Sequence, residues 1–310
     1  MKTKILGTGL TGLVGSRLTE LLGEVYEFEH ISLSNGIDIL DKDAVLNKVM
    51  SSDANVVIHM AAKANVDGCE ADKERDKEIL EFKNEQEKEE AWRSDKTAWA
   101  VNVFGTQNIV DACKKTNKKL VYISTDFVFD GTRKSYTEED KPNPINWYAK
   151  TKHEGEKLIQ NSNLDYVIAR IAYPYRSLFE RNDFVRGLMT KLEKSEKLNM
   201  VWDHVMVPTF IDDLVNALDI LIRTEQKGIF HVVGSQRISP FNAAIAIAQE
   251  FGFDESLISK ISRQEYFAGK AQRPFCLYLK NDKISKLGIE MSSFDKGLIE
   301  IKNQLDKIHI

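Results

Sequence analysis

Short apolar runs alternate with amphipathic stretches through the first 170 residues of the chain. Residues 4–6 read as a first strand and residues 13–22 as the helix that follows it. Three later runs, 55–60, 119–124 and 166–170, are apolar almost throughout. Runs without alternation suit strands buried on both faces, as in a parallel sheet covered by helices. Helical periodicity occupies 98–115 and 147–160. This repetition of strand, helix and strand predicts an α/β fold with a doubly wound parallel sheet. Beyond residue 170 the rhythm loosens. Residues 173–199 read as loop and helix, 207–208 and 212–222 as one more strand and helix, and 229–233 as a strand. Residues 239–251 read as an amphipathic helix with Ser239 as its N-cap.

Composition adds exclusions. A chain of 310 residues can bury such a core without staples. Its formal charge of −4 argues against a nucleic-acid partner, which needs a basic face. No apolar run approaches the about 20 residues that cross a bilayer, so no membrane partner is expected. Cys69, Cys113 and Cys276 are scattered and odd in number, and no spacing suggests a metal site or a disulfide framework. A reducing, cytoplasmic location is the simplest expectation. The start, Lys2 to Lys4 and then apolar residues, superficially resembles a signal peptide, but the four glycines from Gly7 to Gly15 make a poor signal helix. The charge itself is local: residues 72–90 hold nine acids and five bases, and the remainder of the chain is balanced. This stretch is expected to be a solvated helical excursion; the sharper alternative is a partner-binding arm or an active-site flap.

Chemistry enters with the glycines. Gly9, Thr11, Gly12, Leu13, Val14 and Gly15 sit directly after the first strand and open a helix. In that position Gly9 permits a tight turn, Gly12 lets backbone approach a pyrophosphate, and Gly15 lets helix and strand pack closely. The Leu13 and Val14 N–H groups at the helix start then face the phosphates. This is a Rossmann dinucleotide fingerprint. It assigns 1–172 and 207–228 to a dinucleotide-binding domain and 173–206 and 229–310 to a smaller C-terminal substrate lobe. NAD-binding folds usually place an acid after the second strand, whereas Ser32 and Ser34 stand there. With Arg17 as a candidate partner for a 2′-phosphate, NADP is favoured over NAD. Asp38 and Ile39 sit where a third short strand could meet adenine, or where a turn and cap precede Asp41.

Tyr148 and Lys152 lie four apart on a predicted helix and so share a face. An ammonium beside a phenol is expected to lower its pKa, making the tyrosine a proton donor and acceptor near neutrality. Tyr266 and Lys270 share the spacing, but only Tyr148 follows a parallel strand ending in hydroxyls, Ser124 and Thr125, where ligands of open α/β sheets bind. Tyr266 is therefore expected to be an ordinary packing residue.

Together the glycines, His59-Met60-Ala61-Ala62 after the fourth strand, Asn102, Ser124-Thr125-Asp126 and the Tyr148/Lys152 pair resemble the extended short-chain dehydrogenase/reductase family. STDFVFDG at 124–131, VDGCE at 66–70, Pro208-Thr209 with Asp212-Asp213-Leu214, and Arg273-Pro274 resemble its dTDP-4-dehydrorhamnose reductase group. The resemblance implies that Tyr148 is the general acid, Lys152 holds the nicotinamide ribose, and Thr125 bonds the substrate oxygen. It further implies that Asn102 is the structural and proton-relay asparagine, that Ala61, Ala62 and Lys63 line the cofactor, and that Arg170, ending the sixth strand, braces the site. The implied activity is NAD(P)H-dependent reduction of a 4-keto-6-deoxy sugar nucleotide, and membership suggests a homodimer. Departures are Leu13 where glutamine is common, Phe127 where tyrosine is usual, and the charged insertion at 71–92. A nucleotide-sugar epimerase with bound NAD and a non-catalytic NADP-binding regulatory subunit are the alternatives. Dehydratase chemistry is disfavoured, because its second acid is replaced by Phe127.

Overall fold

The computed structural model describes residues 2–307. The elements run β1 (Thr3–Thr8), α1 (Leu13–Leu22), β2 (Tyr26–Ile31), α2 (Lys42–Ser51), β3 (Val56–His59), α3 (Val66–Leu80) and α4 (Glu85–Asp95). A π-helical turn (Ala100–Phe104) leads into α5 (Gly105–Thr116), β4 (Lys119–Thr125), α6 (Trp147–Gln160), β5 (Tyr166–Ile171), β6 (Pro174–Tyr175), α7 (Phe184–Glu193) and β7 (Leu198–Val201). Then come β8 (Thr209–Phe210), α8 (Ile211–Arg223), β9 (Gly228–His231), α9 (Pro240–Phe251), β10 (Ile258–Ile261), α10 (Arg263–Tyr266), α11 (Asp282–Ser285) and α12 (Phe294–Asp306). Two compact units emerge. One comprises residues up to Val128 with Pro142–Ala169 and Leu221–Ile229; the other comprises Phe129–Lys141, Arg170–Ile220 and residues from Phe230 onward.

The central sheet has the order β2-β1-β3-β4-β5-β9. Parallel pairings join β1 to β2 and β3, and β3 to β4. Its strands are the apolar runs of the sequence: Val57, Ile58, Leu120 and Val121 are fully buried. Thr8 pairs in register with both Ile31 and His59, so three strands end at one level. The chain leaves β1 between neighbours reached in opposite directions, which creates the crevice where ligands of open α/β sheets bind.

One open alternative of the sequence is decided and one expectation is corrected. No strand forms at Asp38 and Ile39. Asp38 instead accepts the Leu40 N–H at 3.0 Å in a turn, and Asp41 caps α2 through the N–H groups of Asp43 and Ala44. The strand before His59 is therefore the third, and Arg170 lies in the fifth. The strand expected at 207–208 shifts to Thr209–Phe210, which pairs with β6. Pro208 has no N–H to give a ladder, so pairing starts after it.

The charged stretch also differs from expectation. It is helical, as α3 and α4, but one face is packed. Ile79 and Trp92 are buried with Leu40 and Ala100, and the Trp92 and Phe104 rings lie 5.0 Å apart. Sparse apolar residues at 79, 80, 91 and 92 suffice to bury that face, while lysine–glutamate pairs such as Lys77–Glu74 decorate the other.

The second unit has its own core, in which Tyr175, Val185, Met206, Ala244, Ile247, Phe294 and Leu298 are buried together. Ser239 caps α9 by accepting the Asn242 N–H, as its sequence predicts. Arg170 is buried in this unit, with its guanidinium 5.0 Å from the Phe129 ring and 3.5 Å from His231 Nε2. Tyr266 is 42% exposed, so it is not a packing residue; Lys270 Nζ stands 4.9 Å above its ring. Among the described residues no helix is long and apolar enough to cross a membrane.

Candidate active site

The glycine loop is shaped by contacts that only hydrogen tolerates. Gly9 has φ 69°, and a Cβ there would stand 2.7 Å from the Ala61 nitrogen. A Cβ on Gly15 would stand 2.6 Å from Leu10 Cα. Thr11 is exposed beside them. The N-cap of α1 is Gly12, which offers no side-chain acceptor. The first N–H groups of a helix lack intrahelical partners, so Leu13 and Val14 present donors at the positive end of the helix dipole. That is an anion cradle.

Beside it, where β2 ends, Ser32 Oγ lies 2.9 Å from Ser34 Oγ and 3.2 Å from Asn35 Oδ1. A neutral polar cluster thus occupies the place where a carboxylate would hold ribose hydroxyls. Arg17, on the next helical turn and largely covered, is ion-paired with Glu20. Asp38 is engaged by Lys96 at 3.0 Å, and Ile39 packs over Gly105, where a Cβ would meet its Cδ1 at 2.8 Å.

A buried proton chain ties this loop to the helix bearing Asn102. Thr8 Oγ1 accepts from the N–H groups of Met60 and Ala61, so its own proton goes to His59 Nδ1 at 2.6 Å. His59 Nε2–H must then donate to Thr106 Oγ1 at 3.0 Å, and that hydroxyl donates to the Asn102 carbonyl at 2.8 Å. Burial and the Lys152 charge lower the His59 pKa to about 3, which keeps this relay neutral. Asn102 sits in the π-helical turn, an irregularity that frequently marks functional sites. Its side chain accepts the Lys63 N–H at 2.9 Å and donates to the Lys63 carbonyl and to Thr151 Oγ1, both at 3.0 Å. It thereby fixes the segment after β3 that contains Ala61, Ala62 and Lys63. Lys63 Nζ itself pairs with Asp72 at 2.6 Å.

Thr125 ends β4, and Tyr148 and Lys152 lie on α6, which Asn146 caps through the Ala149 N–H at 2.9 Å. The Thr125 hydroxyl faces the Tyr148 phenol and opposes the rise of its pKa. It also lies 3.1 Å from Asp126 Oδ1, to which it donates. Phe127 packs edge-on against Tyr148, with ring centroids 6.1 Å apart.

The expected lowering of the Tyr148 pKa is corrected. Burial raises it, and the nearby Asp126 and Cys69 push in the same direction. Lys152 does not counter this, because its ammonium donates to the Ile123 carbonyl at 2.8 Å and lies 4.1 Å above the Tyr122 ring. Burial lowers the Lys152 pKa to about 7, with Glu156 opposing. Asp126, fully buried, is pushed up to about 7 by desolvation, against hydrogen bonds from Thr125 and backbone N–H groups. Desolvation thus outweighs the charge pairing that helical spacing alone suggested.

Several residues of this neighbourhood escaped sequence reasoning. Asp126 lay inside a motif but was given no role for reduction. Glu70 accepts the Trp147 N–H at 2.8 Å, and Asp76 accepts the Trp147 indole N–H at 2.6 Å. The adjacency of Trp147 to Tyr148 was the available signal.

Comparisons with known proteins agree with this geometry. The chain is 29% identical to the dTDP-4-dehydrorhamnose reductase of Aggregatibacter actinomycetemcomitans over 313 residues, covering 96% of this chain and 98% of that protein. It is 28% identical to the mouse (Mus musculus) methionine adenosyltransferase 2 subunit beta over 315 residues, covering 96% and 86% respectively. The fold superposes on the crystal structure of dTDP-4-dehydrorhamnose reductase from Bacillus anthracis in complex with NADP, with a TM-score of 0.85 and 29% identity over 98% of this chain and 100% of that one. The RmlD substrate binding domain model matches residues 3–95 and 82–307, and the chain belongs to that family.

Proposed function

We propose that this chain is an NADPH-dependent reductase of a 4-keto-6-deoxy sugar nucleotide, acting as the dTDP-4-dehydrorhamnose reductases to which it is similar. The observation that carries the reading is Tyr148 facing Thr125 at the end of β4, one helical turn from Lys152 on α6, in the same unit as a glycine loop too closely packed for side chains.

The residues present fit the dinucleotide. Gly9, Gly12 and Gly15 with the Leu13 and Val14 N–H groups suit its pyrophosphate. Arg17, Ser32 and Ser34 suit the 2′-phosphate of NADP, and Ala61, Ala62 and Lys63 suit its nicotinamide half. Bound NADPH supplies the hydride that reaches the ketone carbon.

The chain supplies the proton. Tyr148 enters the reaction as a phenol, and its raised pKa keeps it loaded at neutral pH. When the ketone binds, the Thr125 hydroxyl turns from Asp126 to donate to the substrate oxygen and orients it toward the phenol proton. As the carbonyl oxygen becomes an alkoxide, Tyr148 protonates it, while Lys152, one helical turn away, holds the nicotinamide ribose. Asn102 keeps the segment from Ala61 to Lys63 in place; its side chain is spent on Lys63 and Thr151, so it serves as a fixed strut.

NADPH is expected to bind at least about tenfold more tightly than NADH, equivalent to about 1.4 kcal/mol. Ser32→Asp is expected to reverse the preference, by repelling the 2′-phosphate and accepting ribose hydroxyls. Calorimetric titration with both cofactors checks this, and equal affinities in the parent chain would contradict it. A second reading, a non-catalytic NADP-binding regulatory subunit, draws support from the similarity to the mouse beta subunit. It expects cofactor binding with no turnover of any sugar nucleotide.

A further inference from the structure

Helix α3, which runs from the reductase-like VDGCE motif into the charged segment, touches the site frame at three carboxylates, Glu70 from the motif and Asp72 and Asp76 from the segment. Glu70 Oε2 accepts the backbone N–H of Trp147 at 2.8 Å. Asp72 Oδ2 accepts the N–H of Ala98 at 2.8 Å. Asp76 Oδ2 accepts the N–H of Trp99 at 3.0 Å and the indole N–H of Trp147 at 2.6 Å. Ala98 and Trp99 begin the helix that carries Asn102, and Trp147 begins α6, the helix that carries Tyr148 and Lys152. Helix starts leave main-chain N–H groups without intrahelical partners and favour negative charge. One helix therefore stitches together the starts of the two helices that hold the chemistry.

Asp76 is the centre of this arrangement. It has no exposed surface, and burial raises its pKa. A buried carboxylate is costly unless its hydrogen bonds are made. A solvated excursion would carry no such residue. The rings of Trp99 and Trp147 lie 5.7 Å apart, so the two indoles share one packed patch above the carboxylate. Trp147 is thus held by its main chain through Glu70 and by its side chain through Asp76, and Tyr148 is its immediate neighbour.

We propose that α3 is a positioning element for the catalytic helix, and that Asp76 is a positioning residue that sets Tyr148 through Trp147. It touches neither substrate nor cofactor. The inference rests on the reductase reading only for its kinetic test. What Asp76 provides is a hydrogen-bond acceptor, and its charge is incidental. An asparagine oxygen can accept the same two N–H bonds, whereas alanine can accept neither.

The test compares Asp76→Ala, Asp76→Asn and Trp147→Phe in the full chain, with NADPH and a dTDP-4-keto-6-deoxy sugar, well below each variant's Tm. Misplacement of a reacting group by about 1 Å costs up to about a hundredfold in rate. Asp76→Ala and Trp147→Phe are therefore expected to lower kcat at least about tenfold, with NADPH affinity retained, and Asp76→Asn is expected to restore most of the loss. In parallel, hydrogen exchange of the amides of Trp147 to Lys150 is expected to accelerate in Asp76→Ala while those of α1 do not change. A purely stabilising role would lower Tm and leave the kcat of the folded enzyme as it was; that result, or unchanged kcat in both Asp76→Ala and Trp147→Phe, overturns the proposal. If the parent chain turns over no sugar nucleotide, the reductase reading fails separately. Hydrogen exchange then decides, and unchanged protection of Trp147 to Lys150 in Asp76→Ala overturns the positioning role.

Discussion

Tyr148→Phe is expected to lower kcat by about a thousandfold or more, within the range that loss of a general acid produces. The phenol is the group beside Thr125 that holds a proton at neutral pH. Asp126, whose pKa burial raises to about 7, is engaged at Oδ1 by the Thr125 hydroxyl. Phenylalanine keeps the ring, and so keeps the edge contact with Phe127 and the packing of α6. Stability and NADPH affinity are therefore expected to change little. Steady-state kinetics with calorimetric binding separates these effects. Turnover within about tenfold of the parent enzyme would remove Tyr148 from the proton-donor role.

The second large effect is expected at the glycine loop. A methyl group on Gly15 would press into the Gly9 carbonyl and stand 2.6 Å from Leu10 Cα. Both are backbone, so no side chain can swing aside, and the turn between β1 and α1 must move. That motion re-aims the Leu13 and Val14 N–H groups. Gly15→Ala is expected to weaken NADPH binding by about a hundredfold, or about 2.7 kcal/mol, and to cost about 1–3 kcal/mol of stability through overpacking. Gly187→Ala in α7 is the control, because the nearest atom to a Cβ there is Asn182 Cβ at 3.8 Å. That change is expected to be neutral or stabilising, since glycine inside a helix costs about 0.5–1 kcal/mol against alanine. Equal NADPH affinity in Gly15→Ala and the parent chain would show that the loop does not hold the pyrophosphate.

What the sequence made legible was whatever depends on local physics. Helix α1 begins at Leu13 and ends at Leu22 because Gly12 and Gly23 bracket it, and α6 runs from Trp147 to Gln160 as its periodicity requires. The buried strands β3 and β4 were visible as unbroken apolar runs, since nothing but a covered sheet tolerates them. The spacing of Tyr148 and Lys152 placed both on one helix. What was not legible depends on partners far away in the chain. The two-residue strands β6 and β8 exist only because they meet each other. The lysine was expected to acidify the phenol, but its ammonium is taken by Ile123 and the Tyr122 ring, and burial sets both pKa values. The charged segment concealed its packed face because Asp76 finds its donors at Trp99 and Trp147, one of them 71 positions away.

The measurement that bears most directly on the function is deuterium transfer. NADPH carrying deuterium at its transferable nicotinamide position is incubated with the chain and dTDP-4-dehydrorhamnose, and the product sugar is analysed by mass spectrometry and NMR. Reduction by the route described here places one deuterium on the former carbonyl carbon, with NADPH consumed in proportion to product. Absence of NADPH consumption, or a product free of deuterium at that carbon, would contradict it and leave a cofactor-binding protein without this chemistry.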